Sequence, residues 1–198
     1  MFHVKHEGWR NNELSPEQLD MLSRYEGLLL DRAVPRGMVA SSSREDLRSR
    51  HILDSLRAVP HVDPHARLGC DLGSGAGLPG VPLAIALPDL EVTLAESRRA
   101  RAAFLELVLD ELGLQNARVF PGRVELLSAD FDVCFARAYA TAERSWAHAE
   151  RLLRSRGTLL YWAGASFDPR SLPSGAHARI VPAPPLENGG PMVIMTRQ

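Results

Sequence analysis

Between Cys70 and Gly80 the chain reads Cys-Asp-Leu-Gly-Ser-Gly-Ala-Gly-Leu-Pro-Gly, the densest concentration of potential chemistry in the sequence. Glycines let a backbone turn sharply and approach a ligand without interference from Cβ. Two ligands fit the spacing. Gly75, Gly77 and Gly80 satisfy G-x-G-x-x-G, and Glu96 follows Gly75 by 21 residues, where a dinucleotide-binding unit carries its ribose acid. Asp71, Gly73, Gly75 and Gly77 also give D-x-G-x-G-x-G. Charge separates the two readings. A dinucleotide presents a pyrophosphate that a strand-end carboxylate would repel, whereas a cationic ammonium or sulfonium would be attracted to it. Asp71 favours the cation, and the dinucleotide remains the alternative.

Further candidates lie downstream. Glu96 ends the run Val92-Thr93-Leu94-Ala95-Glu96, from which a carboxylate can accept hydrogen bonds from both hydroxyls of a ribose; its other reading is a neighbour of a helix N-cap. Arg123-Val124-Glu125 follows another apolar run. There the Val124 N–H and the Glu125 carboxylate would lie beside an adenine, or Glu125 is a solvated loop residue. The two cysteines, Cys70 and Cys134, sit inside apolar segments and are expected to be buried free thiols. The histidines are scattered apart from His61 and His65, so no metal site is expected.

These residues need a scaffold that brings strand ends together. Ser15-Pro16-Glu17-Gln18 has the form of a helix start, with Ser15 as N-cap, Pro16 first in the helix and Gln18 closing a capping box. A break near Val34-Pro35-Arg36-Gly37 and the serines 41 to 43 precede a second helix with Ile52, Leu53, Leu56 and Val59 on one face, ended by Pro60. From Arg67 onward strands and helices alternate. Strands are expected at Arg67 to Leu72, Glu91 to Glu96, Ala117 to Phe120 and Asp132 to Ala136, with helices at Gly77 to Leu87 and Arg98 to Leu112. Ala100, Ala103, Phe104, Leu107 and Val108 form the apolar stripe of the latter helix, which stops at Gly113. A helix at Ala142 to Arg154, a strand at Thr158 to Trp162 and a hairpin-like pair at Ala178 to Pro182 and Met192 to Thr196 complete the chain.

A chain of 198 residues allows one core with a short extension. The expected division is a helical cap at 1–62 and an α/β unit at 63–198. No apolar run reaches bilayer length, and Met1 to His6 lacks the hydrophobic stretch of a signal peptide, so a cytoplasmic location is expected. No long heptad pattern is visible, and a monomer is expected. With a net charge of −1, bulk electrostatics gives no attraction to a polyanion. A local patch would be needed, and seven of the 22 arginines fall between Arg24 and Arg57 among five acids. They read equally as an RNA-facing surface or as solvated helix faces.

With the residues placed, D-x-G-x-G-x-G resembles motif I of class I methyltransferases. The sequence from about Arg50 to Ala140 is similar to the bacterial ribosomal RNA small subunit methyltransferase G family, also called glucose-inhibited division protein B. The resemblance rests on Arg50-His51-Ile52-Leu53-Asp54-Ser55-Leu56, Asp71 through Ile85, Arg98 to Leu114, Gly122 to Glu125, and Phe131-Asp132 through Arg137-Ala138. Met1 to His6 is similar to the start of some members. The resemblance implies a Rossmann-like α/β fold with a seven-stranded, mostly parallel sheet, helices on both faces and a small N-terminal helical cap. It implies methylation of guanine N7 in 16S ribosomal RNA with S-adenosylmethionine as donor, the partner being that RNA or a small-subunit precursor. Guanine N7 carries a lone pair and no proton, so no general base is needed, and catalysis would rest on alignment and exclusion of water. No catalytic acid or base is assigned.

By resemblance, Gly73, Leu78, Val124, Glu125 and Arg137 surround the cofactor; with Asp71, Gly75, Gly77 and Glu96 they form the expected binding set. Arg137 is also a candidate for RNA phosphate or the guanine edge, its other reading being a structural ion pair. Two departures stand out. Gly37-Met38-Val39-Ala40-Ser41 replaces a common Asn-Leu-Thr segment, and Trp162-Ala163-Gly164 replaces Lys-Gly after the fifth strand, where Trp162 either stacks on a base or belongs to the core. Methylation of another RNA or a small molecule, and nucleotide binding without catalysis, are the alternative functions.

Overall fold

The computed structural model describes residues 14–40, 44–173, 176–182 and 190–198. The opening Met1 to His6, the serines 41 to 43 and Glu187 to Gly189 lie outside them. Seven strands form one sheet: β1 (Leu68–Leu72), β2 (Glu91–Ala95), β3 (Ala117–Phe120), β4 (Phe131–Arg137), β5 (Leu153–Trp162), β6 (His177–Val181) and β7 (Met192–Thr196). Their order is β3-β2-β1-β4-β5-β7-β6. The first five are mutually parallel, and β7 runs antiparallel to both β5 and β6. Strand order reverses between β1 and β4, which opens a crevice at the carboxyl ends of β1, β2 and β4.

The strands are apolar on both faces because both faces are covered. Val92, Leu94, Val133, Phe135 and Leu160 join a core with Leu22 and Tyr25 of α1 (Pro16–Leu28), Val81, Leu83 and Ile85 of α4 (Gly80–Ala86), and Phe104, Leu105 and Val108 of α5 (Arg99–Leu112). Cys70, Leu72, Cys134, Ala136 and Leu159 face the opposite side, against Trp146, Ala149 and Leu152 of α6 (Ala142–Leu152). Both cysteines are buried and free. No described helix is long and apolar enough to cross a membrane.

Several expected boundaries shift for local reasons. Ser15 and Gln18 form the capping box, and α1 passes into a π-turn at Leu29–Ala33 and a 3₁₀ turn at Val34–Arg36 that ends on left-handed Gly37, within the expected break. The second helix is interrupted, with α2 (Arg44–Leu47) and α3 (Asp54–Leu56) joined by a π-turn at Arg48–Leu53. Residues 75–79 form turns, so α4 begins at Gly80 instead of Gly77. In α5 the buried stripe is Ala102, Phe104, Leu105, Val108 and Leu112; Ala100 and Ala103 face solvent, a rotation of the expected face. Gly113 ends that helix at φ +67°. β5 starts at Leu153 because Leu153 pairs with Phe131, and an irregularity brings the register to Thr158 opposite Val133.

Candidate cofactor site

The glycine turn leaves β1 and doubles back under the crevice with Gly73, Gly75 and Gly77 all at positive φ. Gly73 is closely packed: a Cβ there would lie 2.5 Å from Tyr139 Cδ2. The turn spends most of its donors on the protein itself. Ser74 N–H donates to Ala95 O, Gly77 N–H and Leu78 N–H both donate to Ser74 O, Gly75 N–H donates to Glu96 Oε2 at 3.0 Å, and Gly80 N–H donates to Asp71 Oδ2 at 3.0 Å. The Leu78–Pro79 peptide is cis, and the Leu78 side chain is buried.

Asp71 does not stand open at the mouth of the strand. It is 1% exposed and anchors the start of α4 through Gly80. Its Oδ1 is buried without a hydrogen-bond partner. Burial pushes the carboxyl up to about 7, against the pull of the nearby Ser74 hydroxyl, the Gly80 N–H and the Arg137 guanidinium. A buried acceptor left in this state is costly, and it would be relieved by a donor or a positive charge brought into the crevice.

Glu96 takes up the N-cap-neighbour reading. Oε2 accepts from Gly75, and Oε1 accepts at 2.7 Å from the N–H of Arg98, the N-cap of α5. Each carboxylate oxygen keeps a second lone pair for a ligand. Val124 is buried at the start of the 3₁₀ turn Val124–Leu126, and Glu125 is exposed beside it. The Glu125 carboxyl is held below its usual range, first by its own backbone N–H and then by His148 and nearby arginines.

Arg137 is tied to the cap. Its Nε lies 3.2 Å from Asp54 Oδ2, and its guanidinium donates to Arg50 O at 2.8 Å and to His51 Nδ1 at 2.9 Å. Because His51 Nδ1 accepts from Arg137, the ring proton sits on Nε2 and is donated to Ala40 O at 2.8 Å, and burial and Arg137 push the pKa of the ring down. Trp162 is a core residue and not an open stacking platform: its ring is buried and Nε1 donates to Asp54 O at 3.0 Å.

Three residues absent from the sequence reading also build the crevice. Tyr25 on α1 donates its hydroxyl to Ala76 O at 2.8 Å, pinning the cap to the glycine turn. Tyr139 follows β4 and lies against Gly73, and its hydroxyl is 2.6 Å from Nδ1 of His148 on α6. No local pattern marks any of them, because each meets its partner only once the strands have paired.

The architecture is that of the Rossmann-like methyltransferases. It is similar to an O-methyltransferase, TomG, from Streptomyces achromogenes, with a TM-score of 0.60, 17% identity and 90% of each chain covered. A methyltransferase from Geobacter sulfurreducens matches with a TM-score of 0.63, 16% identity and the same coverage.

A family model described as GidB, rRNA small subunit methyltransferase G, matches residues 18–169, and the chain belongs to that family. Relatives carrying the name ribosomal RNA small subunit methyltransferase G include one from Chromobacterium violaceum, 41% identical over 130 residues, 65% of this chain and 62% of the relative. Another, from Thermobifida fusca, is 41% identical over 154 residues, 77% of this chain and 65% of the relative. The chain thus spans less than two thirds of the length of these relatives.

Proposed function

We propose that this chain binds S-adenosylmethionine at the glycine turn and transfers its methyl group to N7 of a guanosine in 16S ribosomal RNA. The observation that carries the cofactor reading is the inward direction of the turn. Five of its N–H groups are given to protein acceptors, and beneath it lies a carboxyl with one unpartnered oxygen. A diphosphate needs free N–H donors at this place. The N–H of Gly80, third glycine of the dinucleotide pattern, is given instead to Asp71. A cation suits the turn better, and its arrival would favour the ionised form of Asp71.

In this reading Gly75 leaves the backbone open to the ligand, Gly73 and Gly77 let Tyr139, Tyr25 and Val81 pack close against the turn and hold its shape, and Leu78 buttresses it. Glu96 accepts from the ribose while retaining Gly75 and Arg98. Val124 and Glu125 meet the adenine edge. Arg137, held by Asp54 and His51, fixes the cap as the wall of the crevice on the methyl side, where the guanine would enter. The bound cofactor supplies an electrophilic methyl group; the protein aligns the nucleophile and excludes water. Family membership supports the ribosomal RNA substrate, since the relatives carry that substrate in their names.

Titration with S-adenosylmethionine and with NAD tests the cofactor: binding of the former is expected, and tight binding of NAD alone would overturn the assignment. For the substrate, 7-methylguanosine is measured in 16S ribosomal RNA from a deletion strain and from the same strain complemented. The modification is expected to vanish and return; unchanged content rejects the RNA reading.

A further inference from the structure

A polar chain runs from Tyr139, packed against the glycine turn, through His148 to Glu125, and the roles above use only its last member. The residue before it, Ala138, is one of two described non-glycine residues at positive φ, +53°. Such a backbone costs energy for a residue with a Cβ and persists where surrounding structure enforces it. Here it directs the chain so that the Tyr139 ring lies against Gly73. The Tyr139 hydroxyl reaches Nδ1 of His148 at 2.6 Å, with the two rings tilted and their centroids 5.7 Å apart. Nε2 of the same histidine lies 3.7 Å from Oε1 of Glu125.

The direction of this chain follows from its donors. With Nδ1 accepting from the Tyr139 hydroxyl, the ring N–H of His148 sits on Nε2, facing the Glu125 carboxylate. At 3.7 Å the last contact is electrostatic and not a full hydrogen bond, which leaves Glu125 acceptor capacity for a ligand. His148 is largely enclosed, at 15% side-chain exposure, whereas Glu125 is 42% exposed and would otherwise sample many rotamers. A packing role alone would be served as well by phenylalanine at either position.

We propose that His148, oriented by Tyr139, is a positioning residue that holds Glu125 as the acceptor for the exocyclic amino group of a purine nucleoside. The pair thereby sets preference for a 6-amino over a 6-oxo base. This rests on the reading of Glu125 as the adenine contact. A carboxylate aimed at the base edge accepts from an amino group and is repelled by a carbonyl oxygen, and its selectivity depends on how firmly it is aimed.

The test compares the dissociation constants of S-adenosylhomocysteine and S-inosylhomocysteine for the full chain and three variants. The unaltered protein is expected to prefer the adenosyl ligand by about tenfold or more, the ratio for one good hydrogen bond against an unmatched acceptor. His148→Phe and Tyr139→Phe are expected to reduce that preference about three- to tenfold through weaker adenosyl binding, with inosyl binding unchanged. His148→Gln, whose amide can present an N–H near the Nε2 position, is expected to retain more of the preference than His148→Phe. Equal weakening of both ligands, or full preference in both Phe variants, would overturn the inference. Should His148→Phe fail to fold, Tyr139→Phe, which removes a single oxygen, decides the matter. If the unaltered protein bound neither nucleoside, the cofactor reading itself would fall; if it bound both equally, only this inference would.

Discussion

A carboxyl group with one oxygen spent on a backbone N–H and the other enclosed without a partner is held in the fold for something other than stability, and Asp71 is in that position. Its folded pKa is raised from 3.8 to about 7, so between those values the folded protein holds a proton that the unfolded chain has lost. The group's contribution is therefore fully present below pH 3.8 and is lost as pH rises through 7. Asp71→Asn removes the titration while keeping an acceptor for Gly80. Urea unfolding of the ligand-free variant is expected to show a gain of about 1–3 kcal/mol at pH 8 relative to the unaltered protein, shrinking toward pH 4. S-adenosylmethionine affinity is expected to fall about tenfold or more, because a neutral amide does not attract a cation. A stability difference independent of pH would show that Asp71 titrates normally. The type and place of Asp71 were legible in the sequence. Its burial was not, because Gly80 and Leu94 reach it only when α4 folds back onto β1 and β2.

Elements were more legible than the contacts between them. The box of Ser15 and Gln18 lies within four consecutive residues, so its geometry is local: Ser15 N–H donates to Gln18 Oε1 at 2.8 Å and Gln18 N–H to Ser15 Oγ at 3.2 Å. The Gln18 amide nitrogen does something no local pattern announces. It donates to Ile85 O at 2.8 Å and to Ala86 O at 3.4 Å, closing the end of α4 from the start of α1. Gln18→Ala should therefore cost about 1–2 kcal/mol in urea unfolding, more than Ser15→Ala at about 0.5–1 kcal/mol. Gln18→Glu separates the two functions, since it preserves the box acceptor but sets a carboxylate against two carbonyls. It is expected to be at least as destabilising as Gln18→Ala, and wild-type stability in that variant would mean that the α4 contact contributes nothing. The same distinction explains the misplaced edges of other elements. The face of α5 was rotated because alanines fit either a buried or an exposed position, and β5 began early because pairing of Leu153 with Phe131 depends on a distant strand.

At the scale of the whole molecule, the N-terminal helices are joined to the rest by apolar packing, by the hydrogen bonds of Gln18 and Tyr25, and by a polar node beside β4 and β5. Leu22, Tyr25, Ile52 and Leu56 share a core with Leu94 and Phe135. The node is Asp54, whose carboxylate meets Arg57 at 2.7 Å and Arg137 at 3.2 Å while its backbone oxygen accepts from Trp162. Asp54 and Arg137 both stood out in the sequence, as parts of separate motifs, but nothing in their spacing announced that they meet; they come together only once β4 has paired between β1 and β5 and the helix carrying Asp54 has packed against the sheet. Both side chains are mostly enclosed, so removing Asp54 strands the charges of Arg137 and Arg57, whereas removing Arg137 leaves Asp54 with Arg57 alone. Asp54→Ala is expected to cost about 2–4 kcal/mol and Arg137→Met about 1–3 kcal/mol, figures set below those of a fully buried pair because each side chain retains some solvent. The double variant should cost at least about 1 kcal/mol less than the sum, since the Arg137 charge is then no longer there to be stranded. The fluorescence of Trp162, whose Nε1 bond to Asp54 O depends on the cap staying in place, would report loosening in the single variants before global unfolding. Strictly additive losses would mean that the two side chains act independently and that the node does not hold the N-terminal helices over the crevice as a unit.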